Sequence, residues 1–184
     1  MDRADCVGQS VTGVATHVLE ELLAPHMKVV FCGTAAGTAS AKALSYYAHH
    51  QNKFWKILFD TKLTPVKLEP HQFRDLVNYR IGLTDFLKHH SGMDNELPFR
   101  QMRDTARTRL RLAMEKYRPV FLAFTSIKAG TEFLGGMRQC GEQIEKIVDT
   151  KIWILPSTSG AANGHWRPEI WRQFADEVIE SQTV

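Results

Sequence analysis

An α/β fold, with a mostly parallel central sheet of about four strands and helices on both faces, is predicted by three features of the sequence. Residues 28–32, 120–124 and 151–155 are short, nearly continuous apolar runs, as suits strands covered on both faces. Segments with helical spacing of apolar residues lie between these runs. Strand and helix therefore alternate along the chain, which favours parallel pairing through crossover helices. In such sheets ligands bind beyond the carboxyl ends of the strands, so residues that follow strands are the first place to look for chemistry.

The first predicted element is an amphipathic helix over residues 11–23, with Val11, Val14, Ala15, Val18 and Leu22 on one side. Residues 1–26 thus read as an N-terminal helical extension of one domain spanning 1–184. Strand 28–32 runs into Cys32-Gly33-Thr34-Ala35-Ala36-Gly37-Thr38, with a helix starting near Thr38. A helix follows over 52–62, where Phe54, Trp55, Leu58 and Phe59 recur at core spacing. Another is predicted over 70–78, ahead of a weaker fourth strand at 80–84. In residues 100–118, Met102, Ala106, Leu110, Ala113 and Tyr117 form a core stripe beside a ridge of Arg103, Arg107 and Arg111. That ridge is either a solvated face or a phosphate contact. Helices over 126–134 and 168–180 follow the last two apolar runs.

Composition narrows the class. A chain of 184 residues suits one domain, and 43% hydrophobic with 23% charged residues is ordinary globular usage. No apolar run approaches the roughly 18 residues of a membrane-spanning helix, and the charged start Met1-Asp2-Arg3-Ala4-Asp5 is unlike a secretory signal. Three separated cysteines (Cys6, Cys32, Cys140) argue against a disulfide framework and for a reducing, cytoplasmic setting. A net charge of +3 permits an anionic partner without requiring one.

Several residues have the chemistry of a site. The small residues 33–38 let a ligand approach the backbone, and a helix starting there aims its N–H groups at that ligand. The same residues also suit a tight strand-to-helix turn. The loop has neither the GxxxxGK[ST] nor the GxGxxG pattern, and a nucleotide site of another kind stays open. Asn52 stands where a helix cap would, a role worth about 1 kcal/mol. Tyr47 suits a core position or a stacking surface for a planar base. The pairs His49-His50 and His89-His90 diverge in direction and make no metal constellation.

Four pieces, in order, carry a resemblance. They are Val30-Phe31-Cys32-Gly33, then Tyr47-Ala48-His49-His50-Gln51-Asn52-Lys53-Phe54-Trp55, then Tyr79-Arg80-Ile81-Gly82-Leu83-Thr84-Asp85, then Leu155-Pro156-Ser157-Thr158-Ser159-Gly160. The set resembles the mismatch-specific uracil/thymine-DNA glycosylase branch of the uracil-DNA glycosylase superfamily, over roughly residues 28–180. The resemblance implies a three-layer α/β/α sandwich and hydrolysis of the N-glycosidic bond of a damaged base, leaving an abasic site. It implies no cofactor and no metal, since three scattered cysteines do not match the branch that carries an iron–sulfur cluster.

The resemblance also distributes roles. Backbone donors at 34–38, with Thr34, Ala35 and Ala36 at the base, would hold the carbonyl oxygen of the departing base. Tyr47 matches the base-stacking aromatic. Ser157, Thr158, Ser159 and Gly160 match the loop that pinches the DNA backbone, with Lys128 a further phosphate contact. Two departures matter. Ala35 stands where the branch has a water-positioning asparagine, so the polar role passes to Asn52, as in hypoxanthine-acting relatives. Ala161 stands where relatives place a wedge, so Asn163, His165, Trp166 or Arg167 would fill the stack, or single-stranded DNA would be accepted. Asp85 would accept from the imino N–H of the base or act as general base; the alternative is an exposed carboxylate at a helix cap.

The expectation is a monomeric, monofunctional glycosylase acting on uracil in DNA, with single strands at least tolerated. Hypoxanthine or another deaminated base is the close variant. A non-catalytic DNA-binding relative, or a small-molecule enzyme using the small-residue loop, are the readings of other classes.

Overall fold

The computed structural model describes residues 17–181. The strands β1 (Val29–Gly33), β2 (Ile81–Asp85), β3 (Phe121–Phe124), β4 (Gly141–Ile147) and β5 (Thr150–Ile154) form a sheet in the order β2-β1-β3-β5-β4. Pairing is parallel from β2 through β1 and β3 to β5, with Val29 opposite both Ile81 and Phe121. The four parallel strands are the predicted ones, each displaced by no more than one residue. The fifth, β4, corrects the expected count of about four. It lies antiparallel to β5 at the edge, its register shifts between Glu142 and Lys146, and Ile144 is 98% exposed, so no apolar run marks it.

The helices are α1 (Thr38–Ala43), α2 (Phe54–Asp60), α3 (Phe99–Tyr117), α4 (Ile127–Leu134) and α5 (Pro168–Glu180), with 3-10 helices at Pro70–Tyr79 and Gly160–His165. Successive strand side chains point to opposite faces. Val29, Phe31, Leu83, Phe121 and Trp153 pack with Phe54 and Leu58 of α2, Phe73 and Leu76, and Trp171 and Phe174 of α5. Val30, Cys32, Leu122, Phe124 and Ile154 face the other way, onto Ala106, Leu110 and Met114 of α3 and Ala129 and Phe133 of α4. The result is an α/β/α sandwich. Phe31, Phe54 and Phe174 are fully buried; burying each is worth about 1.5–3 kcal/mol.

Some expectations are overturned. Residues 17–23 of the predicted first helix are not helical, and its earlier part lies outside the described residues. Leu22 instead exchanges two backbone hydrogen bonds of 2.9 Å with Leu83 on the outer side of β2. Phe59 is 43% exposed while Ile57 is buried, because α2 starts at Phe54 and presents positions 54, 55, 57 and 58 to the sheet. In α3 the buried stripe is Phe99, Ala106, Leu110 and Met114; Tyr117 is only half-buried. The arginine ridge stays partly exposed to solvent but is tied to α4. Arg103 Nε donates to Glu132 Oε2 (2.6 Å), Arg107 Nε to the Glu132 carbonyl (2.7 Å), and Arg111 lies over the Phe133 ring, so the ridge clamps α4 onto α3.

Candidate active site

The chain leaves β1 toward β2 and leaves β3 toward β5, on opposite sides. The C-terminal ends of β1 and β3 therefore flank the crevice where open α/β sheets bind ligands. Thr34 follows β1, and Thr125 and Ser126 follow β3. The Thr34 and Ser126 hydroxyls lie 3.3 Å apart, and the Thr125 hydroxyl lies 3.1 Å from that of Tyr47. Ser126 caps α4 by accepting from the Ala129 N–H. Neither Thr125 nor Ser126 is marked by any motif; only their position after an apolar run could have singled them out.

Asp85 ends β2 directly opposite Gly33. It is 4% exposed, not the surface carboxylate that a cap would be. Its Oδ1 lies 2.7 Å from where a β-carbon on Gly33 would sit, and the Tyr47 hydroxyl lies 3.5 Å from the same point. Its Oδ2 is 3.5 Å from the Lys88 ammonium. Burial pushes the Asp85 carboxyl above its usual range, against the pull of Lys88 and Arg109. Burial likewise lowers Lys88, against the pull of Asp85 and Glu21. Arg109 reaches from α3 to the Asp85 carbonyl (2.6 Å) and to Glu21 Oε1 (2.6 Å), which fixes the end of β2 from outside. Lys88 was not legible in the sequence, where it reads as one more charge in a loop.

Beyond Gly33 the first loop lies against the segment that follows β2. The Thr34 and Ala36 carbonyls accept from the Leu87 and Gly92 N–H groups (2.9 and 3.0 Å). Thr34 and Ala36 are buried and Ala35 is half-buried. Gly37 precedes α1, and no side chain caps that helix, so the first-turn N–H groups are not taken by a capping oxygen. The exposed Asp94 lies against the Thr34 hydroxyl and within reach of the Lys128 charge.

Tyr47 holds a left-handed backbone (φ 52°), and its ring stacks on Phe54 with centroids 3.9 Å apart. Burial and the Asp85 charge raise its hydroxyl well above the usual tyrosine value. Tyr47 and Asn52 both line an open depression of about 530 Å3 with His49, His50, Lys53 and Lys56. Asp85 does not line it, and Tyr47 is common to the depression and the crevice. Asn52 Oδ1 accepts the Phe54 N–H (3.0 Å) in an Asx turn just ahead of α2, so Asn52 is not the expected helix cap, a position that Lys53 takes without a side-chain bond; Asn52 Nδ2 has no partner among the described residues. His49 and His50 do not diverge; their rings stack at 4.5 Å in the turn before Asn52.

The late loop docks on the same turn. The buried Thr158 accepts the Lys53 N–H through its carbonyl (2.9 Å), and the Lys53 ammonium bonds Asn163 Oδ1. Gly160 packs so closely on Gln51 that a β-carbon there would sit 2.8 Å from the Gln51 side chain. The Ser157 and Ser159 hydroxyls accept the N–H groups of Ser159 and Ala161 and shape the turn. Ser159, Asn163 and His165 are exposed. Lys128 stands across the crevice on α4, bonded to Glu132 Oε1 (2.7 Å). Among the described residues no cluster of His, Cys, Asp and Glu is arranged to hold a metal ion, and no helix is long and apolar enough to cross a membrane.

These features define an α/β protein with a buried carboxylate against Gly33 at the ends of β1 and β2 and an aromatic ring beside it, next to the crevice between β1 and β3. The sequence matches the Uracil DNA glycosylase superfamily over residues 21–177, and the chain belongs to that superfamily. Its members are DNA glycosylases, hydrolases that act on deaminated bases in DNA during base-excision repair.

Proposed function

We propose that this chain is a monomeric, monofunctional glycosylase that hydrolyses the N-glycosidic bond of uracil in DNA, in line with its resemblance to the mismatch-specific branch. The target atoms are hidden in a duplex, so the nucleotide enters flipped or from a single strand. The observation that carries the reading is the buried Asp85 carboxylate, whose Oδ1 faces Gly33 at the carboxyl end of β1. An ionised carboxylate only accepts hydrogen bonds, so it suits the imino N–H of uracil and disfavours cytosine, whose N3 is unprotonated. In this reading Tyr47 stacks the base. The N–H groups of the first loop, at Thr34, Ala35 and Ala36, take its carbonyl oxygen as negative charge develops there. Asn52 offers its unused Nδ2 to the attacking water or to the base. The turns at Ser157 to Gly160, with Asn163 and His165, grip the DNA backbone on one side and Lys128 on the other.

Hypoxanthine is the second reading. It is favoured by Ala35, which cannot orient water, together with Asn52 in the NxFW segment. Both bases offer an imino N–H beside a carbonyl.

Single- and double-stranded oligonucleotides carrying uracil, hypoxanthine or a thymine mismatch, cut with alkali after incubation, test the proposal. Abasic product from uracil in either strand form is the expected result, and loss of product in Asn52→Ala assigns the amide. Product from hypoxanthine alone moves the assignment to the second reading. No product from any substrate returns the chain to a DNA-binding role without catalysis.

A further inference from the structure

Lys88 has no place in the reaction outlined above, yet its surroundings are unusual. Its side chain is 0% exposed, in a turn three residues past Asp85. A lysine is almost never fully buried without a partner, and this ammonium faces two: Asp85 Oδ2 at 3.5 Å and the Tyr46 hydroxyl at 2.8 Å. The Tyr46 hydroxyl spends its own proton on the Glu20 carbonyl (2.9 Å), so only its lone pairs face Lys88. The Lys88 backbone is fixed as well, its carbonyl accepting from the Val18 N–H (2.8 Å). Lys88 is thus held by the Tyr46 hydroxyl and by its own backbone, and the carboxylate its ammonium contacts is that of Asp85.

We infer that Lys88 is a positioning residue: it commits one oxygen of Asp85 and leaves the other, ionised and accepting, facing Gly33 at the carboxyl end of β1. The inference rests on the reading of Asp85 as the group that accepts from the base. It specifies the substrate class further, because a carboxyl held ionised admits only bases with an imino donor at that position. The other charged or titratable groups facing Asp85 are Arg109 of α3, Glu21 of the N-terminal segment, Cys32 of β1, and Tyr46 and Tyr47 of the loop before α2. Arg109 is the other cation among them, and it is already bonded to Glu21.

Excision of uracil, or of whichever deaminated base the wild type cuts, is measured under single turnover from pH 5 to 9.5. The enzymes compared are wild type, Lys88→Met, Lys88→Gln, Lys88→Arg and Asp85→Asn. An opposite charge this close lowers a carboxyl pKa by about 1–3 units. Loss of Lys88 therefore moves the acid limb of the rate profile up by about that much in Lys88→Met and Lys88→Gln, with the rate recovering at high pH. Lys88→Arg keeps the limb in place. Either neutral variant suffices if the other does not fold. An unmoved limb, with a rate lowered equally at every pH, overturns the inference while a slow Asp85→Asn upholds the Asp85 reading. Wild-type rates in Asp85→Asn overturn that reading instead.

Discussion

Asp85 Oδ1 and the missing β-carbon of Gly33 occupy one space, 2.7 Å apart. Across paired strands this makes a glycine at position 33 the condition for a carboxylate at position 85. Gly33→Ala is therefore expected to push the carboxylate aside. Overpacking of this kind costs about 1–3 kcal/mol of stability. If Asp85 accepts from the base, excision slows by at least about tenfold, equivalent to about 1.4 kcal/mol. Thermal denaturation and single-turnover rates measure both; a stable variant with wild-type rate would place the reacting base elsewhere.

Asn52 combines an Asx-turn oxygen with an unused amide, and Asn52→Asp separates them. Aspartate closes an Asx turn as asparagine does, so stability should change little. The Nδ2 donor is lost. A fall in excision of about 100-fold or more, near the cost of removing one transition-state donor, is expected without any change in melting temperature.

The Tyr47 hydroxyl touches Thr125, whereas its ring lies against Phe54. Tyr47→Phe keeps the ring and is expected to retain excision within about tenfold, while Tyr47→Ala removes the stacking surface, worth about 1–3 kcal/mol per base. Equal losses in the two variants would show that the hydroxyl, not the ring, matters.

Glu132 joins Arg103 and Lys128 beneath the crevice. Burial works to raise its carboxyl, but the hydrogen bonds from Arg103 and Lys128 outweigh it and hold the carboxyl below its ordinary value. A lowered carboxyl stabilises the fold above the unfolded value of about 4.3, and this stability disappears as pH falls through the folded value. Glu132→Gln should cost about 1–2 kcal/mol at neutral pH, allowing for the half-exposed cations, and the gap to wild type should close in acid. The same variant frees Lys128 and Arg103, so DNA binding should tighten and depend more steeply on salt. Denaturant titrations at pH 7 and pH 3.5, and binding at two salt concentrations, measure these effects.

The parallel strands were legible because burial on both faces leaves unbroken apolar runs, such as Val29 to Cys32. The antiparallel edge was not, because β4 places Glu142, Glu145 and Lys146 in solvent around an exposed Ile144, with a polar, half-buried Gln143 between them. The stripe of α3 also differs at its end, where Met114 is buried and Tyr117 half-buried. Within the site, Asp85 could be named from its place after a strand, but its burial could not, since that depends on Gly33 and Lys88 closing around it. Lys88 and Thr125 carry no local signature, because their neighbours come from segments far away in sequence.

The pairing of Leu22 with Leu83 bears on how the sheet ends. Strand β2 is an outer strand, and an unpaired outer strand is a template for adding another chain. Both backbone bonds at Leu83 are already taken, and Gly82 leaves room for the Leu22 carbonyl, 2.7 Å from where its β-carbon would be. Growth by strand addition is blocked at the side nearest Asp85. At the far side the charged side chains and register shift of β4 do the same work, so the chain guards the two rims of one sheet by different means, a clasp at one and a charged, irregular edge at the other.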